Sequence, residues 1–171
     1  APMPESMPGV VPPTLFRADP ELGGGGHFMD SGSHLVSELL WCTGLRVREV
    51  CALMDNAEFD MRASVSLSLE NGGVCTISNI GDSEIARRIH HAYFGSKATL
   101  FVDGMPFKIT FLKPDKEPIV IPEADMPKAP QPVDNFIHAI LGRAEPLCSA
   151  DDGLAVVEVI EAAYTSARTG K

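Results

Sequence analysis

The chain has 171 residues, enough for one domain with a sizeable core, and its 44% hydrophobic and 22% charged content is that of a globular protein. A net charge of −9 argues against nucleic-acid or anionic-membrane partners, which require a basic patch. No apolar run approaches the roughly 18 residues needed to span a bilayer.

Residues 1–22 carry Pro2, Pro4, Pro8, Pro12, Pro13 and Pro20, a density that disfavours helix and interior strand. They read as an extended lead-in. The start Ala1-Pro2-Met3-Pro4-Glu5 has neither a basic nor an apolar region, so no signal peptide is predicted. The chain does not open on methionine. We read it as a piece of a longer protein, with an upstream targeting segment left open. Gly23 to Gly26 follow.

Over residues 31–43, Leu35, Val36, Leu39, Leu40 and Trp41 recur at helical spacing, with Gly44 placed as the C-terminal cap. Ser31 or Asp30 is the expected N-cap. Residues 47–54 read as a strand. From Met61 to Leu69, apolar Ala63, Val65 and Leu67 alternate with Ser64, Ser66 and Ser68, the cleanest period-2 pattern in the chain. Asn71-Gly72-Gly73 predicts a hairpin turn and 74–80 the returning strand. Further strands are predicted over 89–94, 99–102 and 107–112, punctuated by Gly95-Ser96 and Asp103-Gly104.

The proline-rich stretch 114–132 is long for a connection inside one domain and reads as a segment crossing a surface or reaching another element. Residues 133–141 form an apolar-faced helix ending at Gly142. Ser149 to Asp152 resembles a capping box, and a stripe of Leu154, Val157, Ile160, Ala163 and Tyr164 runs on to about Arg168. A helix, then several antiparallel strands, then two helices predict an α+β fold: a mainly antiparallel open sheet with helices on one face. The serine face of 61–69 would be solvated or meet another subunit. Cys42, Cys51, Cys75 and Cys148 lack C-x-x-C or zinc-finger spacing and read as small buried hydrophobes in a reducing compartment.

The glycine run invites a phosphate-loop reading, but G-x-x-x-x-G-K-[ST] is absent and no strand precedes the glycines. A flexible hinge or a close-packing site remains. The run delivers Asp30 and His34, four residues apart, to the start of the helix. That spacing puts them on one face, one turn apart. A histidine suits proton transfer near neutral pH, and a neighbouring carboxylate orients it. The same two residues also read as a cap beside a hydrogen-bonded histidine. Arg17, His27 and Ser33 are candidate substrate-binding residues around the pair. His90 and His91 point to opposite faces of their strand and read as structural. His138 sits beside apolar residues and is expected to be half-buried. A metal site of Asp30, His34 and His27 has no supporting ligand spacing.

The segment Leu15-Phe16-Arg17-Ala18-Asp19-Pro20-Glu21-Leu22-Gly23-Gly24-Gly25, with Asp30-Ser31-Gly32-Ser33-His34 and Leu39-Leu40-Trp41-Cys42-Thr43-Gly44, resembles the substrate-domain opening of the glucose–fructose oxidoreductase / inositol 2-dehydrogenase / rhizopine catabolism (Gfo/Idh/MocA) family. The Leu69-to-Gly73 turn, the Phe94-to-Leu100 segment, the Asn135-to-Gly142 helix and the Asp151-to-Ala167 helix resemble later parts of the same domain. The resemblance implies the C-terminal domain of a two-domain oxidoreductase acting on a sugar, cyclitol or derivative. It implies a fold like the C-terminal domains of dihydrodipicolinate reductase and glyceraldehyde-phosphate dehydrogenase. NAD or NADP and the family's E-K-P lysine would belong to an N-terminal Rossmann domain, of roughly 120 residues by ordinary domain size, outside these residues. The domain proper would be 23–171.

By carry-over, His34 would be the acid/base at the substrate hydroxyl and Asp30 would bind substrate or orient that histidine. The open sheet face would make a homodimer or homotetramer, and the location would be cytoplasmic. One departure is Ser37, where the family often continues G-x-H-x-x-D. A non-catalytic ligand-binding or dimerisation domain of the same fold is the alternative. The fragment by itself is expected to be inactive.

Overall fold

The structure is a computed structural model that describes residues 19–84, 89–104 and 106–171. It is α+β, with two open, wholly antiparallel sheets and flanking helices. The chain divides into two compact units, Ala1–Ser83 with Leu147–Lys171, and Glu84–Pro146.

The first unit holds α1 (Pro20–Gly23), a π-helical turn (Phe28–Gly32), α2 (Ser33–Thr43), strands β1 (Val47–Met54), β2 (Arg62–Leu69) and β3 (Val74–Ile80), and the long helix near the C-terminus, Ala150–Thr169. The period-2 pattern of β2 becomes its burial pattern: Ala63, Val65, Leu67 and Leu69 are buried while Ser64 and Ser66 are exposed. Register carries this across the sheet. Ala52, Val65 and Ile77 form one buried row, whereas Leu53, Ser64 and Ser78 form an exposed one. The helices cover the buried face: the long C-terminal helix packs on β1, and α2 packs on that helix. Gly72, at φ +84°, makes the β2–β3 turn, a conformation that favours glycine. On this sheet Ser64, Ser66 and Ser78 face outward and are exposed.

The second unit holds β4 (Ile89–Phe94), β5 (Thr99–Gly104), β6 (Lys108–Leu112) and β7 (Ile119–Pro122), paired in chain order, and α3 (Pro132–Ile140). The helix of the first unit at Ala150–Thr169 is therefore α4. On the second sheet His90 bonds Asp103 (Nδ1 to Oδ1, 2.6 Å), which also pairs with Lys108. These neighbours, His90 first, hold the Asp103 carboxyl below its ordinary range. His90 is exposed and His91 half-buried, in keeping with opposite faces.

Several expectations need correction. The 114–132 stretch contains β7, because four residues suffice for an edge strand and the prolines fall outside it or at its last residue. Trp41 is 72% exposed; the buried side of α2 is Val36 and Leu39, since the stripe that continues Phe28 and Gly32 passes through those two. Cys42, Cys51 and Cys148 are exposed and Cys75 is half-buried. Their positions fall on outward faces, so composition misjudged them. Burial raises the Cys75 thiol pKa. His138 is exposed on α3. The capping box at α4 is present: Ser149 Oγ accepts from the Asp152 N–H, and Ser149 N–H donates to Asp152 Oδ2 (2.7 Å). That N–H, and then the hydroxyl, lower the Asp152 pKa. No helix among the described residues is long and apolar enough to cross a membrane.

Candidate functional site

The candidate residues cluster at the start of the helical run, inside the first unit. Residues Phe28, Gly32, Val36 and Leu39 are spaced four, four and three apart, and all are buried. They form the stripe that faces the core. His27, Asp30 and His34 follow spacings of three and four on the opposite flank. His34 is exposed; Asp30 and His27 are half-buried. Neither the carboxylate nor the imidazole is sealed in the apolar interior.

The local backbone departs from a plain α-helix. The Ser33 N–H reaches back to the Phe28 carbonyl, five residues away, and so closes a π-turn. Gly32 permits it: a Cβ there would overlap the Phe28 ring. The glycine of D-x-G-x-H therefore makes room for a buried phenylalanine. Such turns concentrate at functional sites. Ser33 Oγ–H donates to the Asp30 carbonyl (3.1 Å). Its hydroxyl proton is engaged by its own helix. Arg17 lies outside the described residues.

Neither Ser31 nor Asp30 caps this helix, which corrects the sequence expectation. The cap is tertiary. Asp60, just before β2, is fully buried (0% exposed). Its Oδ2 accepts from the Phe28 N–H (2.9 Å), and its carbonyl accepts from the His27 N–H (2.7 Å). Tyr164 of α4 donates its Oη–H to Asp60 Oδ1 (2.5 Å). Tyr164 Oη in turn accepts from the N–H groups of Gly26 (3.0 Å) and Met29 (3.2 Å). Four successive donors, Gly26 to Met29, are so satisfied at a helix start where such groups otherwise lack partners. Burial first, then the Asp60 carboxylate, push the Tyr164 phenol well above its ordinary pKa.

Asp60 was not anticipated, and Tyr164 was read only as part of an apolar stripe. Nothing in local spacing joins residues 104 positions apart. The glycines resolve into close packing: a Cβ on Gly26 would overlap the Asp60 backbone, and one on Gly25 would lie 2.7 Å from Tyr164 Oη. The His27 ring lies against Gly81, where a Cβ would be 2.6 Å from its Cγ. Asn79, on the buried face of β3, has its Oδ1 buried without a hydrogen-bond partner among the described residues.

Two cofactor readings can be tested on this geometry. The glycine run does not fit a dinucleotide: the N–H groups of Gly23 and Gly24 are taken by the Asp19 and Pro20 carbonyls and that of Gly26 by Tyr164 Oη, and a buried aspartate beside it repels phosphate. Among the described residues no group of three or more His, Cys, Asp or Glu is placed to hold a metal ion.

The family model described as GFO/IDH/MocA C-terminal domain matches residues 2–101. No curated protein matches the chain. Among solved structures, the chain is similar to aldose-aldose oxidoreductase from Caulobacter crescentus, solved with glycerol (TM-score 0.76, 23% identity, 95% of this chain and 51% of that one). It is similar to an oxidoreductase domain protein from Kribbella flavida (TM-score 0.76, 20% identity, 91% and 53%). It is also similar to the WlbA dehydrogenase from Bordetella pertussis, solved with NADH and UDP-GlcNAcA (TM-score 0.68, 25% identity, 86% and 44%). The chain spans about half the length of each of these relatives.

Proposed function

The chain belongs to the GFO/IDH/MocA C-terminal domain family, and from that premise we propose that it is the substrate-binding and oligomerisation domain of an NAD(P)-dependent oxidoreductase. The substrate class is a sugar, cyclitol or derivative that presents a secondary hydroxyl. The observation that carries this reading is the Asp30–His34 flank: an exposed imidazole and a half-buried carboxylate one turn apart, on a helix whose first four N–H donors are fixed.

In this reading His34 takes the hydroxyl proton as the alcohol is oxidised, and returns it in the reverse direction. Asp30 binds substrate or holds the imidazole orientation. His27, Ser33 and Arg17 are the proposed substrate contacts; Ser33 contributes through its oxygen, since its proton is held by Asp30. The hydride acceptor is NAD or NADP, held by a part of the longer protein outside these residues. The relatives solved with NADH and a nucleotide sugar support that setting. The exposed face of β1–β3, where Leu53 is 77% and Val74 85% exposed, is the proposed contact of a homodimer or homotetramer. A reducing, cytoplasmic compartment is the proposed setting for its four widely spaced cysteines.

The test uses the full-length protein. His34→Ala is expected to lower turnover by about 10²-fold or more while cofactor affinity stays nearly unchanged. Equal losses in both move His34 to a structural role. Titration of NADH and NADPH against this chain alone, followed by fluorescence, should show no binding. A micromolar Kd overturns the assignment of the cofactor to other residues.

A further inference from the structure

We propose that Asp60 and Tyr164 are a positioning pair for proton transfer, fixing the turn from which Asp30 and His34 project; the inference rests on the role of His34 proposed above. Both side chains come from outside the helix, one from the loop before β2 and one from α4. They converge on one four-residue segment, binding Gly26, Phe28 and Met29 by side chain and His27 by the Asp60 carbonyl.

Space filling alone does not require this arrangement. A buried carboxylate is costly to desolvate, and an apolar residue of similar volume serves packing as well or better. What the carboxylate and phenol add is direction. Each N–H of residues 26–29 meets one defined acceptor, and glycine at 25 and 26 lets the acceptors approach that closely. The held segment overlaps the start of the π-turn, at Phe28 and Met29. A π-turn inserts one extra residue into a helix. Its loss would therefore rotate the residues before it by about 100° relative to those after it. By holding the N–H groups of residues 26–29, the pair sets the phase of the outward flank against the buried stripe.

The experiment compares wild type, Tyr164→Phe and Asp60→Asn in the full-length protein. Tyr164→Phe keeps the ring and removes only the hydroxyl; Asp60→Asn keeps the shape and serves if the first variant fails to fold. Amide exchange at residues 26–29 is expected to speed up by about tenfold or more while β2 and β3 amides change little. NAD(P)-linked oxidation of D-glucose, myo-inositol and UDP-GlcNAcA is followed in parallel. For whichever is turned over, kcat should fall about tenfold or more with KM and cofactor Kd within about twofold, the pattern of a misplaced proton acceptor.

A rise in exchange spread evenly over β1–β3 and 26–29 overturns the proposal, because it makes the pair ordinary core. So does faster exchange at 26–29 with unchanged kcat. If wild type oxidises none of these alcohols, the proposed function is what fails. Exchange then decides alone: a local rise at 26–29 supports the pair as the element that fixes this turn, and an even rise refutes it.

Discussion

Tyr164→Phe removes one oxygen atom, and the structure shows what that atom holds. Tyr164 is 5% exposed and its Oη makes three hydrogen bonds. One is charge-assisted, to a fully buried carboxylate. The change leaves Asp60 Oδ1 and the buried Gly26 N–H unpaired, with Met29 N–H partly exposed to water. Hydrogen bonds to charged groups contribute about 1.5–3 kcal/mol, and orphaned buried groups add their desolvation, so we expect a loss of about 3 kcal/mol. That is a large share of the roughly 5–15 kcal/mol by which a domain is stable. Urea unfolding at neutral pH reads it as a lower midpoint at unchanged m-value.

The same bond predicts an alkaline signature. The folded phenol pKa is raised above its unfolded value of about 10. The unfolded chain therefore loses this proton first as pH rises. The stabilisation is full below pH ~10 and is lost as pH climbs from there towards the folded value. Wild type should show this limb, and Tyr164→Phe should lack its Tyr164 share. A midpoint loss below about 1 kcal/mol, or identical alkaline limbs, would refute the reasoning.

Three further outcomes follow from the same contacts. Gly26→Ala drives a methyl into the Asp60 backbone and should cost about 3 kcal/mol or prevent folding, measured by the same unfolding assay. Gly153→Ala, in α4 with nothing within 4 Å of the new methyl, should raise stability by about 0.5–1 kcal/mol through helix propensity; a loss would mean that position is crowded. Leu53→Glu on the exposed sheet face should convert the proposed oligomer to monomer, read by light scattering, with the thermal midpoint of the isolated chain little changed. An unaltered mass would remove that face from the assembly.

Periodicity within a dozen residues was enough to find most elements. The alternation Ala63-Ser64-Val65-Ser66-Leu67 dictated a one-side-buried strand, because side chains of a strand alternate by geometry alone. Asn71-Gly72-Gly73 dictated its turn, and Ser149 with Asp152 the start of α4, because each motif satisfies backbone groups locally. The short strand Ile119–Pro122 escaped, as four residues among prolines carry too little pattern.

What the tertiary structure decided is the meaning of the glycines and the cap. In sequence, Gly25 and Gly26 are freedom; in the fold they are the space into which Tyr164 and Asp60 press. Ser31 and Asp30 have the right chemistry to cap a helix, yet the caps come from residues 32 and 135 or more positions away from the groups they bind. A hydrogen bond depends on distance in space and is blind to distance along the chain. Local pattern therefore fixes what a segment becomes, and only packing decides which distant group meets it.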